Sequence, residues 1–181
     1  MFQAIGDRDA NQVIILLDEN ASTAGVQADI NAKDERNQTP LHSAIFSGDI
    51  SIAKLLIERY AEINAQDNEE KTPLHLACML GNLSMVKLLL AKPECIGDMR
   101  DNKGDTPLHL ACNSLNDPII RHLVQSKRAS LQISNGDRKT PKEVLNLKAK
   151  QAGQLTRYID LIDSMGVDGD GDSAAMTFPQ E

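Results

Sequence analysis

A four-residue motif recurs along the chain at a nearly constant spacing. Thr-Pro-Leu-His occupies residues 39–42, 72–75 and 106–109, and a decayed copy, Thr-Pro-Lys-Glu, occupies residues 140–143. The motif therefore returns after 33, 34 and 34 residues. A fixed period of this length is the signature of a chain built from similar, stacked structural units.

Other residue types keep the same register. An aspartate lies five residues before the threonine of each complete motif, and an alanine lies five residues after it. The first two copies also have a glycine nine residues after the threonine, followed by a leucine pair at 55–56 and 88–89. Threonine and proline suit the start of a helix, and glycine suits the left-handed residue that ends one. Each unit is therefore predicted to be a helix, a turn, a second helix and an extended loop.

These residues resemble the ankyrin repeat, whose hallmark is Thr-Pro-Leu-His followed by alanine, glycine and a leucine pair. The resemblance implies an all-α solenoid of stacked helix-turn-helix units with β-turn fingers. It spans residues 1–164 as five units, with approximate bounds at 1–33, 34–66, 67–100, 101–134 and 135–164. The remaining residues, 165–181, are predicted to form an acidic, disordered tail.

Three units depart from the pattern. The first lacks the motif and has seven extra residues near 18–27, which predicts an N-terminal cap with a long polar loop. In the fourth, Leu115 replaces the glycine, Pro118 opens the second helix and His122 replaces a leucine of the core, so this unit is expected to be irregular. The fifth has only the decayed motif, as expected of a solvent-facing terminal cap.

The motif histidines have two interpretations, a row of metal ligands or a set of structural hydrogen-bonding residues. His42, His75 and His109 lie on successive units, and packed helices are about 8–10 Å apart. Zinc requires ligand atoms about 2 Å from one ion, which this spacing does not favour. In the ankyrin family this histidine ties its loop to a neighbour, so the resemblance implies the structural role. We predict no metal site and no cofactor.

A histidine and a cysteine stand three residues apart in two units, as a base and a nucleophile could. The pairs are His75 with Cys78 and His109 with Cys112, but Ile45 holds the cysteine position in the second unit. The position is therefore typical of a small buried side chain. No phosphate-binding glycine loop or hydrolase motif occurs, so the chain is predicted not to be an enzyme.

The charge distribution argues against several other classes of partner. The net charge of −7 disfavours general binding to nucleic acid. Residues 127–157 hold eight basic side chains, which we interpret as a solubilising end cap rather than a phosphate site. Residues 168–172 resemble the start of a calcium loop but lack its glycine at position six and its glutamate at twelve. A solvated acidic tail is the preferred interpretation.

The sequence also indicates where in or outside the cell the protein is located. No apolar run is longer than the one at residues 13–17, which is much shorter than the roughly 20 residues of a membrane span. The start lacks the basic and apolar regions of a secretory signal, and an odd number of cysteines, three, forms no pairing framework. We therefore expect an intracellular protein, cytoplasmic and alternatively nuclear, that has no contact with membranes.

Function is thus expected in protein binding, because the register leaves the finger tips and the outer part of each first helix exposed. Phe46, Met79 and Leu80 are apolar at exposed positions of adjacent units, which predicts one partner-binding patch in the concave groove. A competing interpretation is that the 18–27 loop or self-association covers them. The complete predicted set is Glu35, Arg36, Gln38, Phe46, Ser47, Asn68, Glu69, Lys71, Met79, Leu80, Asn102, Lys103, Asp105, Asn113 and Ser114, with Asp137 and Lys139 on the last finger.

The segment from Cys95 to Cys112 is similar to the inhibitor-of-κB branch of the ankyrin family. Cys, Arg-Asp, Gly and Thr-Pro-Leu-His-Leu-Ala-Cys follow one another in comparable order, and an acidic tail follows the repeats. This similarity implies repression of Rel-type transcription factors. Five units are few for that branch, and no serine-bearing degradation signal precedes the first helix. We therefore predict a non-catalytic protein–protein interaction module, an adaptor, scaffold or inhibitor, and keep two alternatives, an inhibitor-of-κB-like repressor and a pathogen effector acting on host proteins.

Overall fold

The computed structural model describes residues 1–6, 13 and 29–164. This part of the chain is helical and contains no strand. The predicted 18–27 loop, the tail and the calcium-loop segment lie outside it. The helices are α1 (Phe2–Gly6), α2 (Pro40–Ser47), α3 (Ile50–Glu58), α4 (Pro73–Met79), α5 (Leu83–Leu90), α6 (Pro107–Asn113), α7 (Asp117–Gln125), α8 (Pro141–Gln151) and α9 (Leu155–Ser164).

The helices form two parallel rows. Helices α2, α4, α6 and α8 pack in sequence as the inner row, with α1 against α2. Helices α3, α5 and α7 form the outer row, and α9 closes the stack against α8. The prediction of an all-α solenoid of paired, stacked helices is therefore confirmed.

Local sequence determines where these helices begin and end. Each inner helix starts with proline directly after a threonine in extended conformation, as predicted. The outer helices begin after Asp49, Asn82 and Asn116, whose side chains accept backbone N–H groups of the first turn. Gly48 and Gly81 have φ angles of 74° and 73° at the turn between helices. This turn sets the antiparallel pairing within a unit.

The fourth unit is more regular than expected. Leu115 takes the left-handed conformation of the glycines it replaces, with φ of 53°, and both helices of the unit form. The hydroxyl of Tyr158 on α9 donates a hydrogen bond to the Leu115 carbonyl oxygen at 2.6 Å. The expectation that His122 replaces a core leucine is wrong, because His122 is half-buried and Leu123 fills the core.

Two kinds of loop contact join successive units. At the finger edge one backbone hydrogen bond links each adjacent pair of fingers, from Asn68 to Arg36, Asn102 to Glu69 and Gly136 to Lys103. In the loops that follow the outer helices a side-chain oxygen accepts a backbone N–H of the following unit, Asn31 from Glu62, Asn64 from Ile96 and Asp98 from Ser130. These bonds hold the inner helices and the fingers at a fixed spacing, which creates the concave face.

Replacing Tyr60 by glycine is expected to raise the free energy of unfolding by about 0.5–1 kcal/mol. Tyr60 follows α3 with φ of 63° and its side chain is 90% exposed. Glycine relieves the strain of this conformation while few side-chain contacts are lost. Urea denaturation measures the change, and Glu58→Gly, within the exposed face of α3, is the control that should destabilise. A less stable Tyr60→Gly variant would contradict the expectation.

No helix in the described ranges is long and apolar enough to cross a membrane.

Candidate functional site

Each motif histidine connects its own unit to the next finger. The Nδ1 atoms of His42, His75 and His109 accept the backbone N–H of the preceding threonine, each at 3.1 Å. Because Nδ1 accepts, the ring is neutral and carries its proton on Nε2. The Nε2 atoms lie 3.2, 3.1 and 2.9 Å from backbone carbonyl oxygens of the next finger, to which they donate. These bonds confirm the structural role implied by the resemblance.

The cysteines are structural as well. Burial raises the pKa of the Cys78 and Cys112 thiols far above the usual range and raises the pKa of Cys95 to about 11. A thiol is nucleophilic only as the thiolate, which these side chains do not form at neutral pH. Within the described residues, no cluster of three or more histidine, cysteine or acidic side chains is arranged to hold a metal.

The concave face contains a groove of about 390 Å³ between the fingers and the inner helices α4, α6 and α8. Its floor is formed by the inner helices, which contribute the apolar side chains of Met79, Leu110, Val144 and Leu147 beside the polar ones of His109, Asn113, Ser114 and Lys148. Met79 is 42% exposed and Leu147 is 39% exposed, so this floor offers apolar surface to a ligand. The wall is polar and is formed by the fingers around Asp101–Asp105 and 135–139.

Some residues of the predicted set line this groove, and others do not. The groove includes Lys71, Met79, Lys103, Asp105, Asn113, Ser114, Asp137 and Lys139. A separate cavity of about 480 Å³ near α1 is lined by Phe2, Gly6, Gln38, Ser43, Phe46 and Ser47. Glu35 and Arg36 line an adjoining cavity with Phe2. Asn68, Glu69, Leu80 and Asn102 are exposed and line none of these three cavities.

The single apolar patch expected from the sequence is divided in the structure. Phe46 is 72% exposed and belongs to the cavity near α1, whereas Met79 belongs to the groove. Five other members of the predicted set are only half-exposed, because they lie against the fold itself: Gln38, Ser47, Lys71, Asp105 and Lys139. The Lys71 ammonium pairs with Glu69, and its side chain is only 13% exposed.

Sequence reasoning missed seven groove residues: Asp101, His109, Leu110, Asn135, Lys148, Val144 and Leu147. The repeat register contains the signal for the last of these. Leu147 lies seven residues after Thr140, as Phe46 and Met79 lie seven residues after Thr39 and Thr72. Extending the register into the decayed fifth unit would have predicted its exposure.

Comparison with protein families gives two matches. A family model described as Ankyrin repeats (3 copies) matches residues 61–135, and one described as Ankyrin repeats (many copies) matches residues 23–77. The two matches overlap and together run from residue 23 to residue 135. Among curated proteins, none matches the chain.

Proposed function

Because the chain belongs to the ankyrin-repeat family, we propose that it binds a protein partner through its finger tips and concave groove. Ankyrin repeats are generally protein–protein interaction modules and are typically non-catalytic. The observation that carries the proposal is the exposed apolar surface in the floor of the groove beside a polar finger wall. Apolar surface rimmed by polar residues is typical of a partner site. The histidines and cysteines that a catalytic role would need are occupied in holding the units together.

The effect of truncating the exposed apolar side chains tests this function. Phe46→Ala and Met79→Ala are each expected to weaken partner binding by about 1–3 kcal/mol, because both remove exposed apolar contact area. The partner is first captured from cell lysate with the wild-type chain, and dissociation constants are then measured by calorimetry.

Ile96→Ala is the matched control, because Ile96 is 52% exposed but lines none of the three cavities. It should leave partner binding unchanged. Thermal melting of each variant separates a binding defect from unfolding. Equal affinities for the wild-type chain, Phe46→Ala and Met79→Ala would reject the proposed surface.

The inference of an inhibitor-of-κB function rests on the sequence of the segment from Cys95 to Cys112. In the structure the fold itself uses these residues: both cysteines are buried, and the Arg100 guanidinium donates to the carbonyl oxygens of Gly104 and Ser134. Residues that stabilise the fold do not indicate a particular partner. We therefore propose general protein binding rather than an inhibitor-of-κB function. Submicromolar binding of a purified Rel homology dimer would reverse this preference.

An intracellular location is part of the same proposal. All three cysteines are free and buried. Free thiols are usual in the reducing interior of a cell, whereas secreted proteins commonly pair them. Fractionation of cells that express the tagged chain would test the location, and recovery from the medium would contradict it.

A further inference from the structure

The acidic side chains that line the groove already have partners. The Asp101 carboxylate accepts two backbone N–H groups of its own finger, each at 2.9 Å. The Asp105 carboxylate accepts the side-chain amide of Asn135 at 2.6 Å. Asp137 lies 3.7 Å from the ammonium of Lys139. The fingers themselves therefore engage these carboxylates, except for the buried Oδ2 atom of Asp101, which has no hydrogen-bond partner among the described residues.

Of the four lysines that line the groove, two have an acidic partner and two do not. Lys71 pairs with Glu69 and Lys139 pairs with an acid of its own finger. Lys103 on the finger wall and Lys148 on α8 have no ion pair with any residue of the described ranges. The groove thus presents unpaired positive charge both on its wall and beside Leu147 of its floor.

We propose that this groove binds a peptide segment of the partner protein in which acidic residues flank apolar ones. The inference rests on the protein-binding function proposed above and adds the chemistry of the partner. Apolar side chains of the segment pack on Met79, Leu110 and Leu147, while its carboxylates pair with Lys103 and Lys148. The volume of about 390 Å³ lies in the range of pockets that enclose a few side chains.

Selection from a random twelve-residue peptide display library on the immobilised chain tests this chemistry. We expect enrichment of sequences in which aspartate or glutamate flanks leucine, methionine or phenylalanine. The enriched peptides, synthesised with a fluorescent label, should bind about tenfold more weakly to the Lys103→Glu/Lys148→Glu variant. Binding should also weaken as salt is raised, because exposed ion pairs are screened.

Lys150→Glu is the matched control, because Lys150 is exposed on the same helix but does not line the groove. It makes the same charge change as Lys148→Glu and should leave the affinity unchanged. Enrichment of basic or uncharged sequences would overturn the inference. So would a selection in which no enriched peptide depends on the groove for binding, or an equal loss of affinity in the Lys150→Glu variant. A partner whose capture requires Met79 but tolerates the double charge reversal would leave the protein-binding function standing and refute only this chemistry.

Discussion

Replacing Gly97 by alanine is expected to lower the free energy of unfolding by about 3 kcal/mol. A Cβ atom at this position would lie 1.9 Å from the carbonyl oxygen of Arg128 and 2.8 Å from its carbonyl carbon. Both are backbone atoms, so no side-chain rotation relieves the overlap. The loops that carry these two residues must separate.

These loops are joined by several hydrogen bonds between the third and fourth units. The guanidinium of Arg128 donates to the carbonyl oxygens of Pro93 and Cys95 at 3.0 and 3.3 Å. Asp98 accepts the backbone N–H of Ser130 at 2.6 Å. Because these bonds need the same close approach, displacement of the loops weakens all of them together.

Chemical denaturation followed by circular dichroism measures this loss. Gly6→Ala is the control, because no atom of the described residues lies within 4 Å of the added Cβ and the residue is in a helix. That variant should be as stable as the wild-type chain or slightly more stable. Equal denaturation midpoints for Gly97→Ala and the wild-type chain would show that the two loops separate without cost and would contradict the expectation.

Gly97 also shows where the repeat period stops being informative. It precedes Asp98 as Ile63 precedes Asn64 in the unit before it, so the pattern predicts a buried apolar side chain at this position. The helices were predictable because local signals such as Thr39-Pro40 act within one turn. The approach of two backbones from different units depends on loop geometry, which no single position of the repeat encodes.

The groove, like the helices and loops, was predictable from the sequence only in part. The register correctly placed Met79 and Lys103 on its surface, because exposure follows from position within a unit. It could not assign Phe46 to a separate cavity, since Phe2 of α1 forms part of that wall and lies outside the motif. Nor could it predict that Lys71 is largely covered, because this depends on where a long side chain finds an acid.

The motif histidines also make stability depend on pH. Burial lowers the pKa of His42, His75 and His109 below its usual value, while hydrogen bonds to backbone carbonyl oxygens and nearby aspartates oppose this only in part. Protonation of Nδ1 would also set two donors, the ring and the threonine N–H, against each other. The unfolded chain therefore takes up protons more readily than the folded chain. Stability contributed by these rings is complete above about pH 6.5 and is lost as pH falls below it.

Lowering the pH from 7.5 to 5.5 is consequently expected to reduce the free energy of unfolding by up to about 4 kcal/mol. The limit for one histidine that stays neutral in the folded chain is about 1.4 kcal/mol at one pH unit below its unfolded pKa, and three rings contribute. Hydrogen bonds from Thr140 lower the pKa of Glu143, which holds the same position in the fifth unit, so its titration lies below this window. Urea denaturation at a series of pH values gives the free energies.

Substitution by glutamine separates the histidines from other titrating groups. Glutamine at this helix position can still accept the threonine N–H but does not titrate. His75→Gln should remove about one third of the decrease between pH 7.5 and 5.5, even though its stability at pH 7.5 is lower. His122, which is half-buried and lies outside the motif, remains in both proteins as an internal reference. If the wild-type chain and His75→Gln lose the same free energy of unfolding between pH 7.5 and 5.5, protonation of the motif histidines does not cause the loss.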